Sequence, residues 1–131
     1  INPTRRKSYA EGVLVTQVVP SFSSEAPGVS SYRRAIDAFD GGNYGFTSLE
    51  GYLSARLFTD ALALCPELTT EALRQTLDTR LSDVDLGIGA RIGFSAINHQ
   101  ASQTVWGSII QSDGRLEVPF VWTPDTGIRP N

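Results

Sequence analysis

The run of β-branched residues from Gly12 to Val19 most constrains the fold of this 131-residue chain, because it is almost continuously apolar and ends at Pro20. A strand with one wet face would alternate apolar and polar residues, whereas strands buried on both faces do not. We therefore predict a buried, parallel strand here. A connection rich in Ser, Pro and Gly follows over residues 21–31.

Three amphipathic helices are predicted after this strand. The first runs from Tyr32 to Phe39, with Ser30 or Ser31 as its N-cap and Gly41 as its left-handed end. The second begins near Thr47, whose hydroxyl would form a capping box with Glu50. Its apolar face consists of Leu49, Leu53, Leu57, Ala61 and Leu64.

The third predicted helix follows Pro66. Leu68 and Leu73 flank Thr69 in the manner of a hydrophobic staple, and Leu73, Leu77 and Leu81 continue a helical stripe.

The end of the chain is predicted to be extended. A short extended piece and a loop through residues 98–100 precede a strand over 104–110, and the Asp113-Gly114 turn leads into a strand over 116–122. Pro119 removes a ladder donor, so this last strand is expected at a sheet edge. The predicted fold class is α/β, with a buried strand, helices and a closing β-hairpin.

Charge and composition exclude several kinds of partner. The net charge of -3 offers no electrostatic footprint for nucleic acid. One cysteine, Cys65, excludes an internal disulfide, and a single histidine gives no zinc ligand set. We predict no metal and no cofactor.

Catalytic residues are not predicted either. The only histidine, His99, has Ser95 and Ser102 nearby in sequence, but the chain lacks a nucleophile-elbow motif. We interpret His99 as a loop residue and the acidic cluster of Asp78, Asp83 and Asp85 as a solvated helix end. A small α/β enzyme remains an alternative that loss of turnover in His99→Ala would support.

Several stretches resemble, in the same order, the leucine/isoleucine/valine-type solute-binding proteins, which have the type I periplasmic binding fold. Residues 10–20 resemble a late strand of the family, and residues 32–39 the next helix. Residues 48–55 contain its Gly-Tyr-x-x-Ala helix start, and residues 69–73 its Thr-x-Glu-x-Leu helix opening. Residues 98–100 and 109–114 resemble its closing strand and Asp-Gly turn.

The resemblance implies a C-terminal portion of a two-lobe, Rossmann-like fold. Residues 1–19 and 101–122 would be strands of the second lobe, and residues 20–100 would form helices and crossings of the first. It also implies that the opening strand and the closing hairpin are neighbours in one sheet, whose remaining strands belong to polypeptide outside this chain.

The function implied by the resemblance is solute binding without catalysis, as the extracytoplasmic component of an ABC importer for branched-chain or other amino acids or related carboxylates. The expected partners are the solute, a membrane permease and an N-terminal portion of the same protein, with a lipid anchor on that portion left open. Phe46, Thr47 and Ser48 are the candidate ligand-binding residues. They lie at the loop ahead of the second helix, where the family often places an aromatic residue near the ligand cleft. Their alternative roles are packing and helix capping, and the alternative function is a sensor domain of the same fold.

We also expect the chain to be part of a longer protein, because it contains no methionine and begins Ile1-Asn2-Pro3. The apolar faces of Leu53, Leu57, Phe58 and Leu77 are therefore expected to be only partly covered.

Overall fold

The computed structural model describes residues 9–131, so the Ile1-Asn2-Pro3 start lies outside the described residues. The chain divides into two compact units. One contains the described residues up to Val18 and from Thr104 onward, and the other is Val19–Gln103. The elements in chain order are β1 (Leu14–Gln17), α1 (Pro27–Asp40), α2 (Phe46–Leu64), α3 (Thr70–Arg80), β2 (Val84–Asp85), β3 (Arg91–Ile92), β4 (Val105–Ile110), β5 (Leu116–Thr123) and β6 (Gly127–Pro130).

The unit formed by the two ends of the chain is a four-stranded antiparallel sheet in the order β1-β4-β5-β6. The opening strand pairs with the first strand of the closing hairpin, with Leu14 opposite Ile109 and Gln17 opposite Trp106. The prediction that these two stretches are neighbours in one sheet is confirmed.

The predicted burial and direction of the opening strand were wrong for the described residues. β1 is antiparallel to β4 and alternates between exposed and half-buried positions. β1 lies at the edge of the sheet, and its side chains are not buried on both faces although the sequence is continuously apolar. Leu14 is 52% exposed.

The closing hairpin is confirmed, with Gly114 at a positive φ in the predicted turn. The edge position expected from Pro119 was wrong, because β5 lies between β4 and β6. The pairing of β4 and β5 shifts register between Gly107 and Ile109, which lie opposite Phe120 and Glu117. Pro119 falls in this bulge, where its missing amide costs no ladder hydrogen bond. Strand β6 was not predicted.

In the Val19–Gln103 unit, α1 begins earlier than predicted. Its N-cap is Ala26 and Pro27 occupies the first turn, a position at which proline needs no amide partner. Ser30 and Ser31 therefore lie inside the helix, and neither is the N-cap. The left-handed end at Gly41 is confirmed.

The apolar face of α2 forms much of the core of this unit. Leu49, Leu53, Leu57 and Ala61 are buried as the periodicity predicts, whereas Leu64 is 40% exposed. The expectation that Leu53 and Leu57 are only partly covered was wrong, because they pack inside the unit; Phe58 is 49% exposed, as expected.

Helix α3 is capped by Thr69, whose Oγ1 accepts from the Ala72 amide at 3.2 Å. Its buried residues are Ala72 and Thr76, while Leu73 and Leu77 are half-buried and line an open depression of about 420 Å³. The predicted staple is absent, since Leu68 is 81% exposed.

The interpretation of the acidic cluster as a solvated helix end is wrong for Asp78 alone, since the side chains of Asp83 and Asp85 are 66% and 62% exposed. Asp78 is largely buried and pairs with Arg74 and His99. Asp83 and Asp85 both pair with Arg91 across the short β2–β3 hairpin.

Among residues 9–131, no helix is both long and apolar enough to cross a bilayer.

Candidate functional site

The candidate residues Phe46, Thr47 and Ser48 form the first turn of α2, whose N-cap is Gly45. No side chain caps this end of the helix, and the predicted capping box between Thr47 and Glu50 was wrong. The reason is register: the helix begins at Phe46, so Thr47 lies inside the first turn and not at the cap. The side chains of Thr47 and Glu50 are exposed.

Tyr32 of α1 orders this first turn from within the core. Its side chain is fully buried, and its hydroxyl accepts from the Gly45 amide at 2.9 Å. The same hydroxyl lies 2.6 Å from Ser48 Oγ and 3.2 Å from the Gly45 carbonyl oxygen. Ser48 Oγ in turn donates to the Gly45 carbonyl at 3.1 Å. Tyr32 and Ser48 have one hydroxyl proton each, so at most two of these three hydroxyl contacts are made at once, and either hydroxyl can be the donor in the contact between them.

The side chain of Phe46 is half-buried against Phe22, with ring centroids 5.1 Å apart and an edge-to-face angle of 69°. Phe22 belongs to the connection before α1. Arg33 holds this connection, because its Nη1 donates to the carbonyl oxygens of Phe22 at 3.1 Å and Ser24 at 2.6 Å. Arg33 and Tyr32, which are adjacent in α1, thus hydrogen-bond the backbone at Phe22 and at Gly45, the residue before Phe46.

The first turn of α2 is suited to a negatively charged group. The amides of the first three residues of an α-helix have no acceptor within the helix, and the helix dipole is positive at this end. Here these amides belong to Phe46, Thr47 and Ser48. Beside them Tyr44 donates to Asp37, and this hydrogen bond raises the pKa of the Tyr44 hydroxyl.

His99 lies elsewhere in the unit. Its Nε2 is 3.1 Å from Asp78 Oδ1 and its side chain is 67% exposed. Ser95 Oγ accepts from the Asn98 amide at 3.1 Å, which closes the loop before His99. Within residues 9–131, no group of three His, Cys, Asp or Glu side chains could hold a metal ion.

Solved structures resemble this chain in both fold and sequence. A possible leucine/isoleucine/valine-binding protein from Rhodopirellula baltica SH 1 is 34% identical over 83% of the chain, with a TM-score of 0.75. This chain has the fold of one part of a type I periplasmic binding protein. An extracellular ligand-binding receptor from Verminephrobacter eiseniae ef01-2 is 28% identical over 82% of the chain, with a TM-score of 0.70.

The chain corresponds to a limited part of these periplasmic binding proteins, since it spans 30% and 31% of their lengths. A branched chain amino acid ABC transporter from Thermus thermophilus with bound valine shares the fold, with 16% identity over 93% of this chain and 34% of its own and a TM-score of 0.66. No family profile matches the sequence. No curated protein matches it either.

Sequence reasoning missed most of the residues that order the candidate site in this periplasmic binding-protein fold. Tyr32 was identified only as the start of the first predicted amphipathic helix, and Phe22 and Arg33 were not singled out. The signal that could have found Tyr32 is a tyrosine at a fully buried helical position, because a buried phenolic hydroxyl requires a partner.

Proposed function

We propose that the complete protein is an extracytoplasmic solute-binding component of an ABC importer, that it binds an amino acid or a related small carboxylate, and that this chain supplies part of the site. The relatives named as leucine/isoleucine/valine-binding protein and as extracellular ligand-binding receptor support this role. The observation that carries the proposal is the first turn of α2, where uncapped amides, an exposed hydroxyl and a half-buried ring lie together.

Each candidate residue has a distinct role in the proposal. Thr47 donates its hydroxyl to the solute carboxylate, since this side chain is exposed and is not the helix cap. Ser48 contributes its amide, because its hydroxyl is already engaged with Tyr32 and Gly45. Phe46 packs against the apolar part of the solute.

The proposed lobe assignment places residues 1–19 and 101–122 in one lobe and residues 20–100 in the other. The division of the chain after Val18 and after Gln103 supports this assignment. A portion of the protein that precedes this chain is proposed to complete both the lobes and the ligand site, consistent with the 30% coverage of the relative from Rhodopirellula.

Binding in this proposal involves no catalysis. The solute stabilises a closed form because its affinity for that form is higher, and the open and closed populations shift accordingly. A membrane permease recognises the closed form and receives the solute. This mechanism requires the solute to leave the protein chemically unchanged.

The test is isothermal titration calorimetry of the complete protein with leucine, isoleucine, valine and glutamate, and with glucose as a non-carboxylate. We expect at least one amino acid to bind and glucose not to bind. Thr47→Val, which removes the hydroxyl while preserving shape, should weaken that binding roughly tenfold, as expected for one hydrogen bond to a charged group.

The matched control is Thr59→Val, at an exposed position of the same helix where the hydroxyl donates to the Arg56 carbonyl. It should leave the affinity unchanged. Equal affinities in the wild type, Thr47→Val and Thr59→Val would remove Thr47 from the site, and failure of every amino acid to bind would contradict the proposed function.

A further inference from the structure

The half-buried rings of Phe22, in the connection before α1, and Phe46, at the start of α2, meet edge to face within the Val19–Gln103 unit. Phe22 follows the boundary between the compact units by four residues, whereas Phe46 begins α2. Neither ring is fully enclosed in the core. The pair therefore presents aromatic surface next to the uncapped first turn of α2.

The backbone next to each ring is hydrogen-bonded by a different residue of α1. Arg33 is 21% exposed and donates to the carbonyl oxygens of Phe22 and Ser24, while buried Tyr32 binds the Gly45 amide that precedes Phe46. Hydrogen bonds from a charged guanidinium are stronger than neutral ones. A contact surface whose rings are ordered before the ligand arrives loses less entropy on binding.

We infer that Phe22 is a specificity-determining residue, and that with Phe46 it contacts the apolar side chain of an amino-acid solute. This inference rests on the proposed function. The ring edge and ring face offered by the pair suit an aliphatic group, because aromatic surfaces bury apolar area and offer no donor or acceptor to a polar side chain. The pair thereby favours solutes with larger apolar side chains.

The test compares leucine and alanine as probes of the complete protein by isothermal titration calorimetry. Phe22→Ala should weaken leucine binding roughly tenfold or more while alanine binding changes less than about threefold, since removal of apolar contact surface affects the larger side chain most. Phe22→Leu should retain most of the discrimination. Phe58→Ala is the matched control, because Phe58 is a partly exposed phenylalanine of the same unit, and it should alter neither affinity.

Urea denaturation of each variant separates a loss of contact from a loss of folding, and Phe22→Leu keeps the test informative if Phe22→Ala is unstable. Equal weakening of leucine and alanine binding by Phe22→Ala, or no change in either, would overturn the inference. If the wild type binds glutamate but neither leucine nor alanine, the inference is overturned and the proposed function stands. If no amino acid binds, both this inference and the proposed function are contradicted.

Discussion

The hydroxyl of Tyr32 lies 2.6 Å from Ser48 Oγ, and this contact joins the middle of α1 to the first turn of α2. The same hydroxyl accepts from the amide of Gly45, so one buried side chain holds the N-cap residue of α2 and leaves the amides of the first turn uncapped. The turn that carries the candidate ligand-binding residues is thus ordered by a tertiary contact and not by its own sequence.

Tyr32→Phe should lower the free energy of unfolding by about 1–3 kcal/mol, because the Gly45 amide and Ser48 hydroxyl lose a partner in a part-buried setting. Urea denaturation measures the change. The control is Tyr44→Phe, which removes an exposed hydrogen bond to Asp37 and should have little effect. Equal stability of Tyr32→Phe and the wild type would mean that this network does not hold the turn.

Thr69→Ala should destabilise the protein by about 1 kcal/mol, because Thr69 caps α3 through its bond from the Ala72 amide. Thr70→Ala, one residue further on and inside the helix, is the control and should change the midpoint of denaturation little. If the two variants lose the same stability, the cap is not at Thr69.

Gly107→Ala should destabilise the sheet by about 1–3 kcal/mol, since a Cβ at this position would overlap the ring of Phe120 on the paired strand. The double mutant Gly107→Ala/Phe120→Leu should recover part of the lost stability, because the smaller leucine side chain leaves room for the added Cβ. Additive losses in a double-mutant cycle would show that the two positions do not compete for this space.

The pKa of the Asp113 carboxyl should lie below its ordinary value of 3.8, because the carboxylate accepts hydrogen bonds from the Arg115 amide and from the Arg115 side chain. A lowered folded-state pKa means that this carboxylate stabilises the hairpin above the unfolded pKa, and that the stabilisation is lost as the pH falls through the folded pKa. Carbon-detected NMR titration measures the pKa of Asp113.

Arg115→Gln provides the control for this titration. It should return the pKa of Asp113 only part of the way, since the backbone amide, the larger cause, remains. An ordinary pKa for Asp113 in the wild type would contradict the described turn.

Local sequence signals predicted the elements that depend on local chemistry. The helical spacing from Leu49 to Ala61, the left-handed end at Gly41 and the Asp113-Gly114 turn are all found in the structure. Each of these signals acts within a few residues of the chain, so no knowledge of distant contacts was required.

The errors arose where a distant residue decides the structure. Thr47 has the sequence of a capping box, but Tyr32 from the preceding helix binds the turn and the helix begins at Phe46. Pro119 indicated an edge strand, but a bulge in the pairing with β4 accommodates it inside the sheet. The candidate site could be located from sequence only through the family resemblance, and its supporting residues could not.

Native mass spectrometry of the complete protein tests the central claim most directly. The protein is incubated with an equimolar mixture of amino acids, and the bound amino acid is then released by denaturation and its mass is measured. We predict one amino acid bound per protein molecule, recovered with unchanged mass after prolonged incubation. Recovery of a chemically altered product, or spectra with no bound amino acid under conditions in which the protein is folded, would contradict a solute-binding role.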